Sequence, residues 1–352
     1  MQTCVVRPVL YKKLNDLDYT EFTRLSEALP GIKIILEFFI NLKKIYPGTF
    51  LGSGKITYLK KNILNKQVKL LLIDFELSAI QQRNLEKELN IKILDRTGLI
   101  LEIFSSRALS REGVLQVELA HLNYNKSRLV RSWTHLERQR GGTTFIGGPG
   151  ELQIELDRRL IQEKINKIKK HLIKVDNRRS LQRKLRKKTK FKTFALIGYT
   201  NAGKTQLFNY LTKKNQLSED KLFATLDTKI SKVYLDNNLE AGLIDTVGFI
   251  NKIPSLLIQS FKATFEEVRN ADYIINVVDS NDLNFKEKIT STIKTLKDMN
   301  LENDRIKNII TVYNKIDLNI NVSTPRNKNF YISALSGEGV HLLKEQMKEV
   351  LN

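Results

Sequence analysis

A chain of 352 residues is long enough for two or three domains, each with its own core. Its 41% apolar and 28% charged residues are those of an ordinary globular protein. The single cysteine, Cys4, excludes an internal disulfide framework, and no apolar run has the length of a bilayer span. The expectation is a cytoplasmic protein without stable membrane insertion. The net charge of +21 is unevenly placed: residues 191–352 hold 21 basic against 19 acidic side chains, which leaves 38 against 19, a net of +19, for residues 1–190. A basic first half before a near-neutral second half points to a polyanionic partner for the first.

Residues 1–105 alternate short apolar runs with amphipathic stretches. Val5–Leu10, Ile32–Phe39, Leu70–Ile73 and Ile91–Leu94 read as strands, and Tyr19–Leu29 and Leu77–Leu89 as helices, a small α/β domain. Gly52-Ser53-Gly54-Lys55 is too short for a phosphate site and reads as a tight turn. Residues 106–190 shift to helical periodicity. Leu115, Leu119, Leu122, Leu129 and Leu136 form one stripe, and the predicted helix ends near Leu136.

Gly141 to Gly150 hold five of the 17 glycines and read as a loop, with Arg138 and Arg140 at its entrance. A second helix carries Leu156, Leu160, Ile161, Ile165, Ile168 and Leu172, an interruption is predicted at Val175-Asp176-Asn177, and Arg178–Lys190 reads as a basic tail. The simplest packing is an antiparallel helical hairpin with the glycine loop at its tip. Its basic density fits contact with nucleic acid.

Residues 191–352 carry the chemistry. Gly198-Tyr199-Thr200-Asn201-Ala202-Gly203-Lys204-Thr205 reads G-x-x-x-x-G-K-[ST] between an apolar strand, Phe194–Ile197, and a helix start, Gln206–Leu211. The glycines let successive N–H groups point into one anion-sized hollow, Lys204 adds a point charge, and the Thr205 hydroxyl is placed for Mg2+. Phe223-Ala224-Thr225-Leu226-Asp227 supplies Thr225 as a second candidate Mg2+ ligand, ordered only with a γ-phosphate. Asp245-Thr246-Val247-Gly248 ends a strand: Asp245 suits Mg2+ through a water, and the Gly248 N–H suits the γ-phosphate. Lys204, Thr225 and Gly248 are therefore the candidate catalytic groups.

In Asn314-Lys315-Ile316-Asp317 the carboxylate can accept from guanine N1–H and its 2-amino group, which selects GTP over ATP, while Asn314 helps position the base edge. Ser333-Ala334-Leu335 completes the base pocket, with the Ala334 N–H expected to face guanine O6. Five motifs in this order predict a mostly parallel α/β P-loop GTPase domain that binds GTP or GDP with Mg2+ at the strand C-termini.

The chain resembles the HflX family of ribosome-associated GTPases over nearly its whole length. The matching stretches are Leu94-Asp95-Arg96-Thr97-Gly98-Leu99-Ile100-Leu101, Arg111-Glu112-Gly113-Val114-Leu115-Gln116-Val117-Glu118-Leu119-Ala120 and Gly148-Pro149-Gly150-Glu151, with Phe223–Asp227 and Asp245–Ile250 in the family's form. The resemblance implies Mg2+-dependent GTP hydrolysis, binding to the large ribosomal subunit and its rRNA, and in some members splitting of ribosomes under stress. A monomer off the ribosome is expected, and no DNA partner.

The loop at Thr143–Gly147 is one residue longer and less arginine-rich than the commonest family form. The chain ends on the predicted helix Glu338–Leu351, without the C-terminal extension of some members. A GTP-stabilised RNA-binding or assembly factor with little turnover is the competing reading; an ATP-driven RNA remodeller is disfavoured by Asp317.

Overall fold

The computed structural model describes residues 1–10, 16–132, 149–189, 191–214, 222–223, 225–226, 228–236, 239–251, 253–318 and 329–351. The chain divides into two compact units, one of Met1–Ser106 with Val114–Ile173 and one of Arg107–Gly113 with Lys174–Asn352.

The first unit opens as a β/α alternation: β1 (Gln2–Leu10), α1 (Asp16–Glu27), β2 (Lys33–Leu42), α2 (Ser53–Asn65), β3 (Leu70–Ile73), α3 (Ala79–Leu89), β4 (Lys92–Asp95) and α4 (Arg96–Arg107). Among the described residues the sheet has the order β2-β1-β3-β4, every pairing parallel. Each predicted strand of this region falls on an observed one. The helix α2 was not expected from the sequence. It buries Ile56, Leu59 and Ile63 at helical spacing, and the expected tight turn at Gly52–Lys55 is corrected: Gly52 is the N-cap and Ser53, Gly54 and Lys55 open the helix. A Cβ at Gly52 would stand 3.1 Å from the Tyr46 ring, which would have to shift by a few tenths of an ångström.

The Asp95-Arg96 pair at the end of β4 anchors the next elements. The buried Asp95 carboxylate accepts from Arg128 (2.7 Å), the Tyr124 hydroxyl (2.7 Å) and the Gly98 N–H (2.8 Å). Arg96 grips Asp74 at 2.7 Å and Glu21 at 2.5 Å. Burial, with Asp95 beside it, holds the Tyr124 phenol protonated well above its ordinary range. Tyr124 and Arg128 lie on α5 (Arg111–Ser132), which pairs with α6 (Pro149–Lys188).

Leu119, Ile165 and Ile168 form the seam between these two helices, flanked by Leu115, Leu122, Ile161 and Leu172. The Lys126–Gln162 hydrogen bond sets the run antiparallel. Two expectations are corrected. Leu156 and Leu160 are 49% and 56% exposed: they fall on the side of α6 away from Ile161, Ile165, Ile168 and Leu172. Val175-Asp176-Asn177 does not interrupt α6, because their weaker helix propensity costs only tenths of a kcal/mol each and Asp176 accepts from Arg183 one turn-pair later at 3.3 Å. The predicted helix end near Leu136, Arg138, Arg140 and the 141–148 loop lie outside the described residues.

The second unit continues with β5 (Thr193–Gly198), α7 (Lys204–Thr212), β6 (Lys229–Asp236), β7 (Leu239–Asp245), α8 (Ser255–Ser260), α9 (Lys262–Asn270), β8 (Tyr273–Asp279), α10 (Phe285–Asp298), α11 (Asn303–Lys307), β9 (Ile310–Asn314), β10 (Asn329–Tyr331) and α12 (Val340–Glu349). The sheet order among the described residues is β10-β9-β8-β5-β7-β6, parallel except for β6. Strand β5 is buried along its whole length, as a central parallel strand covered on both faces must be. Its Phe194 and Leu196 pack with Leu207, Phe208, Ile275, Val312 and Met347. The C-terminal ends of β5, β7, β8 and β9 thereby converge on one edge.

Candidate functional site

Strand β5 delivers the chain into the loop Tyr199–Gly203 ahead of α7. Gly198 has φ +139°, and a Cβ there would stand 2.1 Å from the Val277 carbonyl oxygen; Gly203 has φ +90°, and its Cβ would meet Asn314 Nδ2. Only glycine fits either position. Asn201 also takes a left-handed conformation, φ 63°. Lys204 folds back over the loop and donates to the Gly198 and Tyr199 carbonyls at 3.1 and 2.7 Å. Burial lowers its ammonium to about 8, with Asp245 opposing the shift. The segment after β7 zips onto this loop: Thr200 N–H donates to Phe249 O (2.8 Å), and Phe249 N–H to Gly198 O (3.0 Å). Gly248 sits between, where a Cβ would be 2.8 Å from Thr200 Cα and 2.9 Å from Lys204 Nζ.

Three oxygen-bearing side chains meet at the mouth of the loop. Thr205 Oγ1 donates to Asp245 Oδ2 at 2.8 Å and lies 2.6 Å from Thr225 Oγ1. Asp245 is fully buried, its Oδ1 has no hydrogen-bond partner, and burial pushes its carboxyl above the usual carboxylate range. Thr246 Oγ1 donates to Leu196 O at 2.6 Å, tying β7 to β5, and Val247 is buried behind it. Phe223 (φ 57°) and Leu226 are buried on either side of Thr225. Ala224 and Asp227 lie outside the described residues.

On the far side, the buried Asn314 side chain donates to Ala202 O (2.9 Å) and accepts from Ala334 N–H (2.8 Å). The N–H expected to face a base carbonyl is thus directed at Asn314 in this structure. Lys315 (φ 70°) pairs with Asp279 at 2.7 Å, and its carbonyl accepts from Asn281. Ile316–Leu318 is a 3₁₀ turn that leaves Asp317 exposed. The Ser333 hydroxyl accepts from Ser336 N–H, closing the following turn, while Leu335 is 70% exposed.

Three contributors were not singled out from the sequence. Lys288 stands over the Tyr199 ring at 4.7 Å, Asp279 holds Lys315, and the Tyr210 hydroxyl occupies the space above Gly337. Asp279 ends a buried strand beside Asn314, a position readable as functional; the other two carry no local pattern.

A phosphate loop, an Asp-x-x-Gly segment zipped to it and an Asn-Lys-x-Asp turn at one edge of a mostly parallel sheet define a P-loop GTPase. Family models agree along the chain: "GTP-binding GTPase N-terminal" matches residues 16–105, "GTP-binding GTPase Middle Region" 107–186 and "50S ribosome-binding GTPase" 193–315. A protein of Magnetococcus marinus described as "GTPase HflX" is 47% identical over 326 residues, 91% of this chain and 75% of that one. An Escherichia coli protein of the same description is 38% identical over 349 residues, 97% and 80% of the two chains. The solved structure described as "crystal structure of SsGBP and GDP complex" shares the fold, with a TM-score of 0.52 at 23% identity over 100% of this chain and 98% of that one. The chain belongs to the HflX family of GTPases, and it is a GTP hydrolase. Among the described residues no helix is long and apolar enough to cross a membrane.

Proposed function

We propose that the protein is a Mg2+-dependent GTPase that binds the large ribosomal subunit through rRNA and acts there in splitting, recycling or biogenesis. The observation that carries the catalytic half is the convergence of Thr205, Thr225 and Asp245 within hydrogen-bond distance of one another. Two hydroxyls and a carboxylate are the hard oxygen donors that suit Mg2+, and the unpartnered Asp245 Oδ1 is an orphan that a hydrated cation satisfies. Thr205 and Thr225 would hold the ion directly and Asp245 through water. An ion held there would supply positive charge to the phosphate oxygens.

The chain's own groups do the rest. Lys204 and the N–H groups of Gly203, Lys204 and Thr205 at the start of α7 bind phosphate, and the Gly248 N–H meets the γ-phosphate. Asp317 reads guanine, and Asn314 holds the loops on both sides of the base. The residue after Gly248 is Phe249, which is buried and stacked on Phe265 with ring centroids 6.3 Å apart. It offers the attacking water no hydrogen bond, and a missing contact of that kind costs about a hundred- to thousandfold in rate. Turnover by the protein alone is therefore slow, and the subunit accelerates it. Single-turnover hydrolysis at saturating GTP, with and without large subunits, tests this: equal rates would mean that the partner does not complete the site.

The ribosomal half is supported by the +19 charge of residues 1–190 and by the family description of residues 193–315. Arg138, Arg140 and the glycine loop are the segment assigned to reach into an RNA cleft, where backbone fits and side chains would clash.

A further inference from the structure

Arg179, near the end of α6, makes a bridge that the nucleotide chemistry leaves unexplained. Its Nη2 lies 2.8 Å from Glu112 Oε2 and donates to Thr228 Oγ1 at 3.3 Å. Both ion-pair partners are largely shielded, at 22% and 12% side-chain exposure. The other terminal nitrogen, Nη1, is buried without a hydrogen-bond partner, so these two acceptors are what the guanidinium is held for. Glu112 belongs to the Arg111-Glu112-Gly113 stretch, which no step of GTP hydrolysis uses. All these residues lie in the second unit.

We infer that Arg179, fixed by Glu112, is a positioning residue for the segment that carries Thr225. Thr228 is three residues beyond Thr225, and three residues of chain span at most about 10 Å. Leu226 between them is buried. With Thr228 clamped at one end and Leu226 sunk in the core, the Thr225 hydroxyl has few places to go other than beside Thr205, where it stands at 2.6 Å. The competing reading is a plain staple between α6 and the start of β6, stabilising every nucleotide state alike.

The inference rests on the reading of Thr225 as a ligand engaged only when a γ-phosphate is present. The full chain is compared with Arg179→Ala and with the shape-retaining Thr228→Val, in affinity for GDP and for a non-hydrolysable GTP analogue while Mg2+ is titrated. Losing a charge-assisted hydrogen bond should weaken the analogue about tenfold and raise the half-saturating Mg2+, with GDP unchanged within about twofold. The double variant should be no worse than either single one.

Equal loss for both nucleotides, or loss for neither, overturns the inference. Thr225→Ala separates it from the underlying assignment. If that variant keeps full analogue affinity, the assignment fails and the inference falls with it. If Thr225→Ala shows the analogue-only loss while the Arg179 and Thr228 variants do not, the inference alone is wrong. Should Arg179→Ala fail to fold, Thr228→Val carries the test unaided.

Discussion

Asp317 stands exposed at the end of a 3₁₀ turn, held by its neighbours rather than by contacts of its own: Lys315 is pinned to Asp279, and Asn314 to Ala202 and Ala334. A carboxylate presented this way has two acceptor oxygens to offer the two guanine donors proposed for it. Asp317→Asn replaces one acceptor with a donor and should weaken GTP by about 2–4 kcal/mol while favouring xanthosine triphosphate. Direct titration with both nucleotides checks this, and unchanged GTP affinity would remove Asp317 from the base pocket. At the same scale, the lone thiol of Cys4 is buried and pushed up to about 12, chiefly by burial and then by Glu37. It belongs to the packing of β1, and nothing in the reaction uses it.

At the scale of elements, α6 shows how a charged helix is held. Glu267 on α9 is 3% exposed and takes Arg183 at 2.8 Å and Arg186 at 3.2 Å. Glu267→Ala would leave two partly buried guanidinium groups short of their main acceptor. A loss of about 3 kcal/mol is expected, at the lower end for a broken buried pair, because Glu266 lies 3.7 Å from Arg183 and takes up part of the charge. Urea unfolding should show a lower midpoint at an unchanged slope; an unshifted midpoint would mean that the pairing contributes nothing.

What the sequence made legible follows the range of the forces involved. The strand–loop–helix of Gly198–Thr205 was readable because it forms its shape locally, and the structure brings Thr205, Thr225 and Asp245 together. The buried runs of β1, β3 and β5 were readable because both faces are apolar. The helix α2 was not, since Lys60, Lys61 and Asn62 interrupt a stripe only three residues deep, Ile56, Leu59 and Ile63. Val175-Asp176-Asn177 was misread for the opposite reason: a weak local preference was overridden by a partner of Asp176 seven residues away, Arg183, which is itself anchored on Glu267. Bridges such as Glu112–Arg179 join positions 67 apart and leave no local trace.

For the whole molecule, the charge asymmetry sets how the partner is met. Binding of the full chain to large subunits should weaken steeply between about 50 and 200 mM salt, as counterions are no longer released to advantage. Arg138→Ala with Arg140→Ala should weaken it further and flatten the dependence. Sedimentation of subunits with the protein and a non-hydrolysable GTP analogue across that salt range checks both; a flat response would exclude RNA phosphate as the contact. The division of the chain has its own consequence. The second unit takes one short piece, Arg107–Gly113, from early in the sequence and the remainder from Lys174 onward. During synthesis the first unit has all its residues once Ile173 has emerged, while Glu112, made more than sixty residues before Arg179, must wait for a partner not yet translated. A cut at 190 therefore does not yield a self-contained GTPase: it separates Thr228 from Arg179, and Glu267 from both of its arginines.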